Sequence, residues 1–198
     1  MTIRLADLLA STGALLQGHF RLSSGLHSPG YVQCARLLEH PRNARAIGSA
    51  LAAELETSAV TRIVAPALGG LVIGYTVAEA LGVPMIFTER KDGAMTLRRG
   101  FALAEGDRIV IVEDVVTTGK STLETVSVIE EWARSNGVAA EVVGFASILN
   151  RTGKANPFGH PYAFLLAMDL DTYTEAGCPL CARGMALDAP GSRFSAPR

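Results

Sequence analysis

The chain has 198 residues, of which 48% are hydrophobic and 19% charged, and its formal net charge is −1. This length and composition fit one globular domain and exclude a disordered chain. The charge balance lacks the basic excess of nucleic-acid binders, and no apolar run reaches bilayer length, so we expect neither nucleic acid nor membrane as a partner. Asp7 interrupts the first apolar stretch, so the N-terminus is a poor signal peptide. The low, odd number of cysteines (Cys34, Cys178 and Cys181) then indicates reduced thiols and a cytoplasmic location.

The N-terminal third predicts a helix, then short strands, then a second helix. Ile3 and the following leucines lie at helical spacing over residues 3–16. Residues 19–36 are rich in Gly and Ser and predict short strands and turns. Pro41 fits the first turn of the second helix, which would carry Ile47, Leu51 and Leu55 on one face.

From residue 62 onwards, strands and helices alternate. Short apolar runs predict strands at residues 62–66, 84–87, 101–103, 108–112, 141–149 and 162–166. Helices are expected from Gly70 to about Gly82 and from Lys120 to Ser135, and residues 89–100 are expected to form a loop. Continuous Val/Ile runs that alternate with helices predict a doubly wound α/β fold, in which helices flank a mainly parallel sheet on both faces.

Residues 108–121 carry the strongest chemical signal. An apolar strand leads into Glu113 and Asp114, and a turn of hydroxyl residues and glycine then opens a helix. Ligands of open parallel sheets bind beyond the carboxyl ends of the strands. The turn from Thr117 to Ser121 would present backbone N–H groups at a helix N-terminus, which suits a 5-phosphate. The carboxylates can bind ribose hydroxyls or help hold a magnesium ion that carries pyrophosphate. The alternative is a strand that merely ends in a helix-capping loop.

Residues 110–121 resemble the donor-binding motif of the type I phosphoribosyltransferases. Four further segments resemble the orotate branch of that family: the hood segment 20–31, the pyrophosphate loop 65–70, the mobile loop 89–101 and the strand end 149–151. Together these matches extend over most of the chain. The resemblance implies one domain with a core of about residues 42–168 and a small hood from about 1–41 and 169–187. The tail at 188–198 is rich in Pro, Ser and Ala, and we expect it to be frayed.

The resemblance also implies an activity. It indicates transfer of a phosphoribosyl group from 5-phosphoribosyl 1-pyrophosphate to orotate, which gives orotidine 5'-monophosphate and pyrophosphate. One alternative is an enzyme for purines or other nucleobases, which would differ at Arg151 and in the hood. The other is a non-catalytic regulator of the same fold, which would lack the cations of the mobile loop.

Specific residues acquire roles by this resemblance. The implied donor-binding residues are Gly69, Arg90, Lys91, Glu113, Asp114, Val115, Val116, Thr117, Thr118, Gly119, Lys120 and Ser121. The implied catalytic residues among them are Arg90, Lys91, Glu113 and Asp114. Thr117 and Arg151 are expected to contact orotate, since a guanidinium can bind its carboxylate with two hydrogen bonds. Magnesium is the implied cofactor, held mainly through pyrophosphate and ribose hydroxyls, and the implied assembly is a homodimer with shared active sites.

Four cations lie in or beside the mobile loop: Arg90, Lys91, Arg98 and Arg99. They fit either a solvated charge cluster or a lid that closes over pyrophosphate and excludes water. The loop is shorter than in the best-known members and lacks their Lys-x-His sequence. The sequence therefore leaves open which cation acts on pyrophosphate.

The sequence Cys178-Pro-Leu-Cys181 has the spacing of half a zinc knuckle. A structural zinc ion needs four ligands, and the sequence shows no second Cys pair and no nearby His pair. His160 is the closest candidate and lacks a partner. We therefore interpret the two cysteines as thiols beside a turn.

Overall fold

The computed structural model describes residues 5–22, 24–55 and 59–190. Within them the chain forms two compact units. The core unit is built mainly from Leu38–Met168, and the small unit from Ala6–Leu37 together with the described part of Asp169–Arg198. No helix in these ranges is both long and apolar enough to cross a membrane.

The small unit begins with two short helices and a hairpin: α1 (Leu5–Ser11), β1 (Leu15–Arg21), β2 (His27–Val32) and α2 (Cys34–Leu38). The two strands pair antiparallel. The helix predicted over residues 3–16 is too long, because the chain turns at Gly13, where φ is 62°, so that Leu15 and Leu16 join β1. Ile3 lies outside the described residues.

The core unit contains a six-stranded sheet. Its strands are β3 (Arg62–Pro66), β4 (Met85–Lys91), β5 (Ala94–Leu97), β6 (Asp107–Val116), β7 (Ala140–Asn150) and β8 (Tyr162–Ala167). The strand order is β5-β4-β3-β6-β7-β8, and only the edge strand β5 runs antiparallel to its neighbour. The predicted doubly wound, mainly parallel sheet is confirmed.

Three helices flank this sheet: α3 (Pro41–Ala53), α4 (Gly70–Leu81) and α5 (Lys120–Asn136). A Cβ atom on Gly74 of α4 would lie 2.8 Å from that of Ala65, whereas Ile129 of α5 packs in one cluster with Val64. Successive side chains of a strand point to opposite faces, so α4 and α5 cover opposite faces of the sheet. Pro41 stands in the first turn of α3 as expected, but Leu55 lies beyond the end of that helix.

Two predictions between residues 89 and 103 are wrong. Residues 89–100 are largely a β-hairpin rather than a loop, because Asp92 and Gly93 both have positive φ, 51° and 84°, and close a two-residue turn between β4 and β5. Residues 101–103 form no strand. Their apolar side chains are instead used for packing: Phe101 meets Phe87 with ring centroids 5.0 Å apart, and Leu103 is buried.

The C-terminal part of the small unit is tied to the hairpin β1–β2. It contains a 3₁₀ turn (Glu175–Gly177) and α6 (Pro179–Ala182). The N–H of Asp188 donates to the carbonyl of His19, and the N–H of Arg21 donates to the carbonyl of Asp188, both at 2.8 Å. The expectation of a frayed tail is therefore wrong at Asp188 itself, and residues 191–198 lie outside the described residues.

Candidate active site

The donor-motif carboxylates lie inside a strand. β6 continues to Val116, four residues past its expected end at Val112. Glu113 and Asp114 therefore project to opposite faces of the sheet near its carboxyl edge. This edge is where ligands of open α/β sheets bind.

Asp114 and Gly69 meet at this edge. The Asp114 Oδ1 atom accepts a hydrogen bond from the N–H of Val115 at 2.9 Å. A Cβ atom on Gly69 would lie 2.7 Å from the same Oδ1 atom. Since real Cβ atoms do not approach so closely, glycine at position 69 allows the start of α4 to reach the end of β6. Two donor-binding residues predicted from separate motifs are thus adjacent.

Glu113 lies on the other face, in a buried polar group. It stands opposite Ser147 of β7, whose Oγ atom is 2.6 Å from the Tyr162 hydroxyl. Burial, with the neighbouring Asp114 charge, raises the pKa of Glu113 well above its usual value, and burial raises the pKa of Asp114 as well. Burial also raises the pKa of Tyr162 to about 12. The ionised carboxylates are poorly solvated, so bound hydroxyl donors or cations would stabilise them.

The turn after β6 opens towards solvent. Thr117 and Thr118 are exposed, and the N–H of Lys120 donates to the Thr118 Oγ1 atom at 3.3 Å. Gly119 adopts φ 73° as the residue before α5 and supplies no side-chain cap. The first N–H groups of α5 therefore remain suited to an anion. A Cβ atom on Gly119 would lie 2.8 Å from a ring carbon of Phe158, so the ring lines this turn.

Arg151 lies beside the donor turn. Its backbone N–H donates to the carbonyl of Val116 at 2.8 Å, which joins the end of β7 to the end of β6. Asn150 is buried, and its side chain shapes the following turn by donating to the carbonyl of Lys154 and accepting from Thr152. The structure thus brings the expected orotate-binding arginine next to Thr117.

The four loop cations are not equivalent. Arg90 donates to the carbonyl of Gly93 at 3.0 Å and pairs with the carboxylate of Glu124. Arg99 makes two hydrogen bonds to Glu89, at 3.0 and 2.9 Å, and Arg98 lies 3.5 Å from the same carboxylate. These hydrogen bonds and charges lower the pKa of Glu89. Lys91 is exposed, and within the described part of the chain no acidic side chain pairs with it.

Sequence reasoning missed the side chains that lie beside the predicted site residues: Glu89, Glu124, Ser147, Phe158 and Tyr162. The sequence could have indicated an ion pair for Glu124, because it follows Lys120 by four residues on the predicted helix. In the structure the two side chains lie 3.9 Å apart. Phe158 had none, since it lies in an irregular segment between β7 and β8.

The chain also matches known proteins. Residues 33–162 match the family model described as the phosphoribosyl transferase domain. The chain therefore belongs to the phosphoribosyltransferase family. It is 44% identical over 189 residues to the orotate phosphoribosyltransferase of Thermotoga maritima, covering 96% of this chain and 98% of that protein. It is 42% identical over 190 residues to the orotate phosphoribosyltransferase of Chlorobium phaeobacteroides, covering 96% and 95%.

Solved structures agree with this assignment. The crystal structure of orotate phosphoribosyltransferase from Aeropyrum pernix superimposes with a TM-score of 0.64 at 26% identity, over 83% of this chain and 93% of that chain. The sheet topology, the family match and the relatives together confirm the expected type I phosphoribosyltransferase fold.

Proposed function

We propose that this chain is an orotate phosphoribosyltransferase, which converts 5-phosphoribosyl 1-pyrophosphate and orotate to orotidine 5'-monophosphate and pyrophosphate in pyrimidine synthesis. The observation that carries the proposal is the pairing of two sites at one sheet edge: the donor motif ends β6, and Arg151 is hydrogen-bonded beside it. The nearly full-length identity to enzymes of that name supports the same acceptor.

Donor binding follows from the geometry of β6 and α5. The N–H groups and hydroxyls from Thr117 to Ser121 bind the 5-phosphate at the start of α5, where Gly119 supplies no side-chain cap. Glu113 and Asp114 accept hydrogen bonds from the ribose hydroxyls. Departure of pyrophosphate from C1 leaves positive charge on the ribose ring, and fixed carboxylates close to it stabilise that transition state.

Magnesium is the proposed cofactor. The carboxylate oxygens of Glu113 and Asp114 are hard ligands of the kind magnesium prefers, and burial leaves their ionised forms poorly solvated. When bound, the ion supplies neutralisation of the leaving pyrophosphate. We assign it mainly to pyrophosphate and ribose oxygens, with these two side chains as the protein groups closest in chemistry.

Lys91 is the proposed cation for pyrophosphate. The three other cations in or just after the hairpin β4–β5 are engaged by Glu89 or Glu124, whereas Lys91 is exposed next to the Asp92–Gly93 turn. An exposed cation at a hairpin turn is suited to act in the site of a second copy of the chain. We therefore propose a homodimer with shared active sites, as the family resemblance implies, and a cytoplasmic location as the cysteine content implies.

The dimer proposal is tested by mixing two impaired proteins. Lys91→Ala and Asp114→Asn subunits, once exchanged, should form hybrid dimers in which one site has both residues intact. The activity of the mixture should exceed that of either variant alone and reach a fraction of the wild-type value. Dimers that exchange subunits without recovering activity would exclude the shared site.

Arg151 provides the test of the acceptor. Orotate differs from uracil by a carboxylate, and loss of its bidentate partner costs about 2–5 kcal/mol. Arg151→Ala should therefore lower kcat/KM for orotate by tens- to thousands-fold, while donor binding measured without acceptor changes little. Arg108→Ala is the matched control, since Arg108 pairs on the surface with Glu141. Equal loss of donor and acceptor binding in Arg151→Ala would remove Arg151 from the acceptor site.

Two alternatives make different predictions. A purine-specific enzyme would release pyrophosphate faster with hypoxanthine or adenine than with orotate. A regulator of this fold would bind the donor and release no pyrophosphate with any base. Neither is favoured by a specific side chain in the described structure.

A further inference from the structure

The hood hairpin and the C-terminal segment of the small unit converge on one point. Four side chains each turn a possible metal-ligating atom towards it, and these atoms all lie within 4.8 Å of one another: His19, His27, Cys178 and Cys181. We refer to them as the Cys2His2 cluster. His160, the partner considered from sequence, instead stacks edge-on against Phe145 in the core unit.

We propose that the Cys2His2 cluster binds one structural zinc ion. Zinc sites of this composition are tetrahedral, with Zn–S near 2.3 Å and Zn–N near 2.0–2.1 Å, which places sulfur and nitrogen ligands about 3.5 Å apart. The Sγ atoms of Cys178 and Cys181 both lie 3.6 Å from the Nε2 atom of His19. The Sγ atom of Cys181 lies 3.3 Å from the Nδ1 atom of His27. These three sulfur–nitrogen separations are close to the corresponding edges of such a tetrahedron.

The contacts of the His19 ring fit a bound metal better than hydrogen bonds alone. Its Nδ1 atom is 2.9 Å from the carbonyl oxygen of Met185 and must donate to it. In the neutral ring the Nε2 atom then carries the lone pair, and it faces the two sulfurs and the Nδ1 atom of His27 at 2.9 Å. One lone pair accepts one good hydrogen bond, so three partners exceed its capacity. A backbone carbonyl that orients the far nitrogen is typical of metal-bound histidine.

The backbone supplies each ligand from a feature suited to it. The pairing of β1 with β2 shifts register between Gln17 and Phe20, and His19 lies in this irregularity, which redirects side chains. Cys178 precedes the single turn of α6, and Cys181 lies within that turn. His19, His27 and Cys178 are all buried, and four protein ligands leave no open coordination position, which is the character of a structural site.

The site would hold together two distant parts of the sequence. His27 and Tyr173 exchange backbone hydrogen bonds at 2.8 and 2.9 Å, but residues near the cluster form no third strand within the described small unit. Because a small unit without an extended sheet buries little apolar surface, the free energy of metal binding would add to its folding free energy.

Metal content of the purified full-length protein tests the proposal. Expression with zinc supplied, followed by gel filtration and elemental analysis, should give about one zinc per chain. Replacement by Co²⁺ should give the visible absorption of a tetrahedral ion with thiolate ligands. Wild-type protein that binds neither Zn²⁺ nor Co²⁺ under reducing conditions would overturn the proposal.

Variants then assign the ligands. Cys181→Ser changes the most exposed ligand, and competition with a chromogenic chelator should show zinc affinity reduced at least tenfold. His160→Ala is the matched control and should bind zinc like the wild type. Unchanged affinity in Cys181→Ser would also overturn the proposal. If that variant does not fold, alkylation of wild-type Cys181 decides: a chelator should accelerate it, and equal rates with and without chelator would contradict a bound metal.

Discussion

The core unit and the small unit are stabilised in different ways. The sheet of the core unit buries large aliphatic side chains on both faces, among them Ile63, Ile73, Ile109, Ile111, Ile129, Ile148 and Leu149. The small unit has a two-stranded sheet, and a polar group of two histidines and two cysteines lies among its few buried apolar side chains. A large core can hold two poorly solvated carboxylates at its edge, whereas a small one depends on cross-links.

The largest expected effect separates chemistry from stability in the core unit. Asp114→Asn should reduce kcat about 100-fold or more, because a neutral amide stabilises positive charge on the ribose less well. Stability should not fall, since the amide oxygen can accept from the Val115 N–H and the repulsion on Glu113 is relieved. Steady-state kinetics and thermal unfolding of the same protein check both parts. Near-normal turnover would exclude the assigned role.

The second prediction distinguishes the hairpin cations. Lys91→Ala should lower kcat at least tenfold, because the charge that acts on pyrophosphate is lost. Arg99→Ala should change kcat less than threefold, because Arg99 neutralises Glu89 at the surface. Equal losses in the two variants would mean that the hairpin acts through its total charge.

Metal removal sharpens the comparison of the two units. If the Cys2His2 cluster holds zinc, chelation should speed amide exchange in residues 15–32 at least tenfold, because the binding free energy of the metal is lost from this unit. Exchange in β6, at the centre of the core sheet, should stay the same. Hydrogen exchange read by mass spectrometry after proteolysis resolves the two regions. Uniform acceleration would show that the units unfold together.

The smallest effect concerns pH and the start of β6. Burial raises the pKa of Asp107, but the N–H of Ala104, Arg62 and Thr61 outweigh it, and the net pKa is lowered. A lowered pKa stabilises the fold above the unfolded value, about 3.9, and this stability is lost as pH falls through the folded value. Asp107→Asn should thus cost about 1–3 kcal/mol at pH 7.

That cost should begin to shrink as pH falls below the unfolded value of about 3.9, and it should approach zero only below the lowered folded value, where the wild-type carboxylate is protonated too. Urea unfolding at pH 7, 5 and 3 measures it. Glu131→Gln is the control, since Glu131 pairs with Arg134 at an exposed position and should give little change at any of these pH values. A difference independent of pH would point to packing rather than charge.

The sequence predicted those parts of the fold that local signals determine. The strand 62–66 has its predicted bounds, and α5 starts at Lys120 and is closed by Gly137. In such elements apolar residues recur at a regular spacing, and glycine or hydroxyl residues mark the ends. Both signals lie within one short segment of the sequence, so they can be read without knowing the fold. The donor motif was readable for the same reason, because its carboxylates, turn and helix are contiguous.

Features that depend on distant residues were not predictable. The ion pair between Arg90 and Glu124 joins residues more than thirty positions apart in the sequence. The meeting of His19 and His27 with Cys178 spans about 150 residues, and no spacing rule covers such a distance. The hairpin β4–β5 is different, because Asp92-Gly93 is a recognised turn signal that was available in the sequence.

The acceptor assay tests the central claim most directly. Wild-type protein is incubated with 5-phosphoribosyl 1-pyrophosphate, magnesium and one base at a time, and pyrophosphate release is followed for orotate, uracil, hypoxanthine and adenine. The account predicts rapid release with orotate and, because the carboxylate contact to Arg151 is worth about 2–5 kcal/mol, release with uracil that is tens- to thousands-fold less efficient. A preference for hypoxanthine, adenine or uracil over orotate would contradict the proposed acceptor.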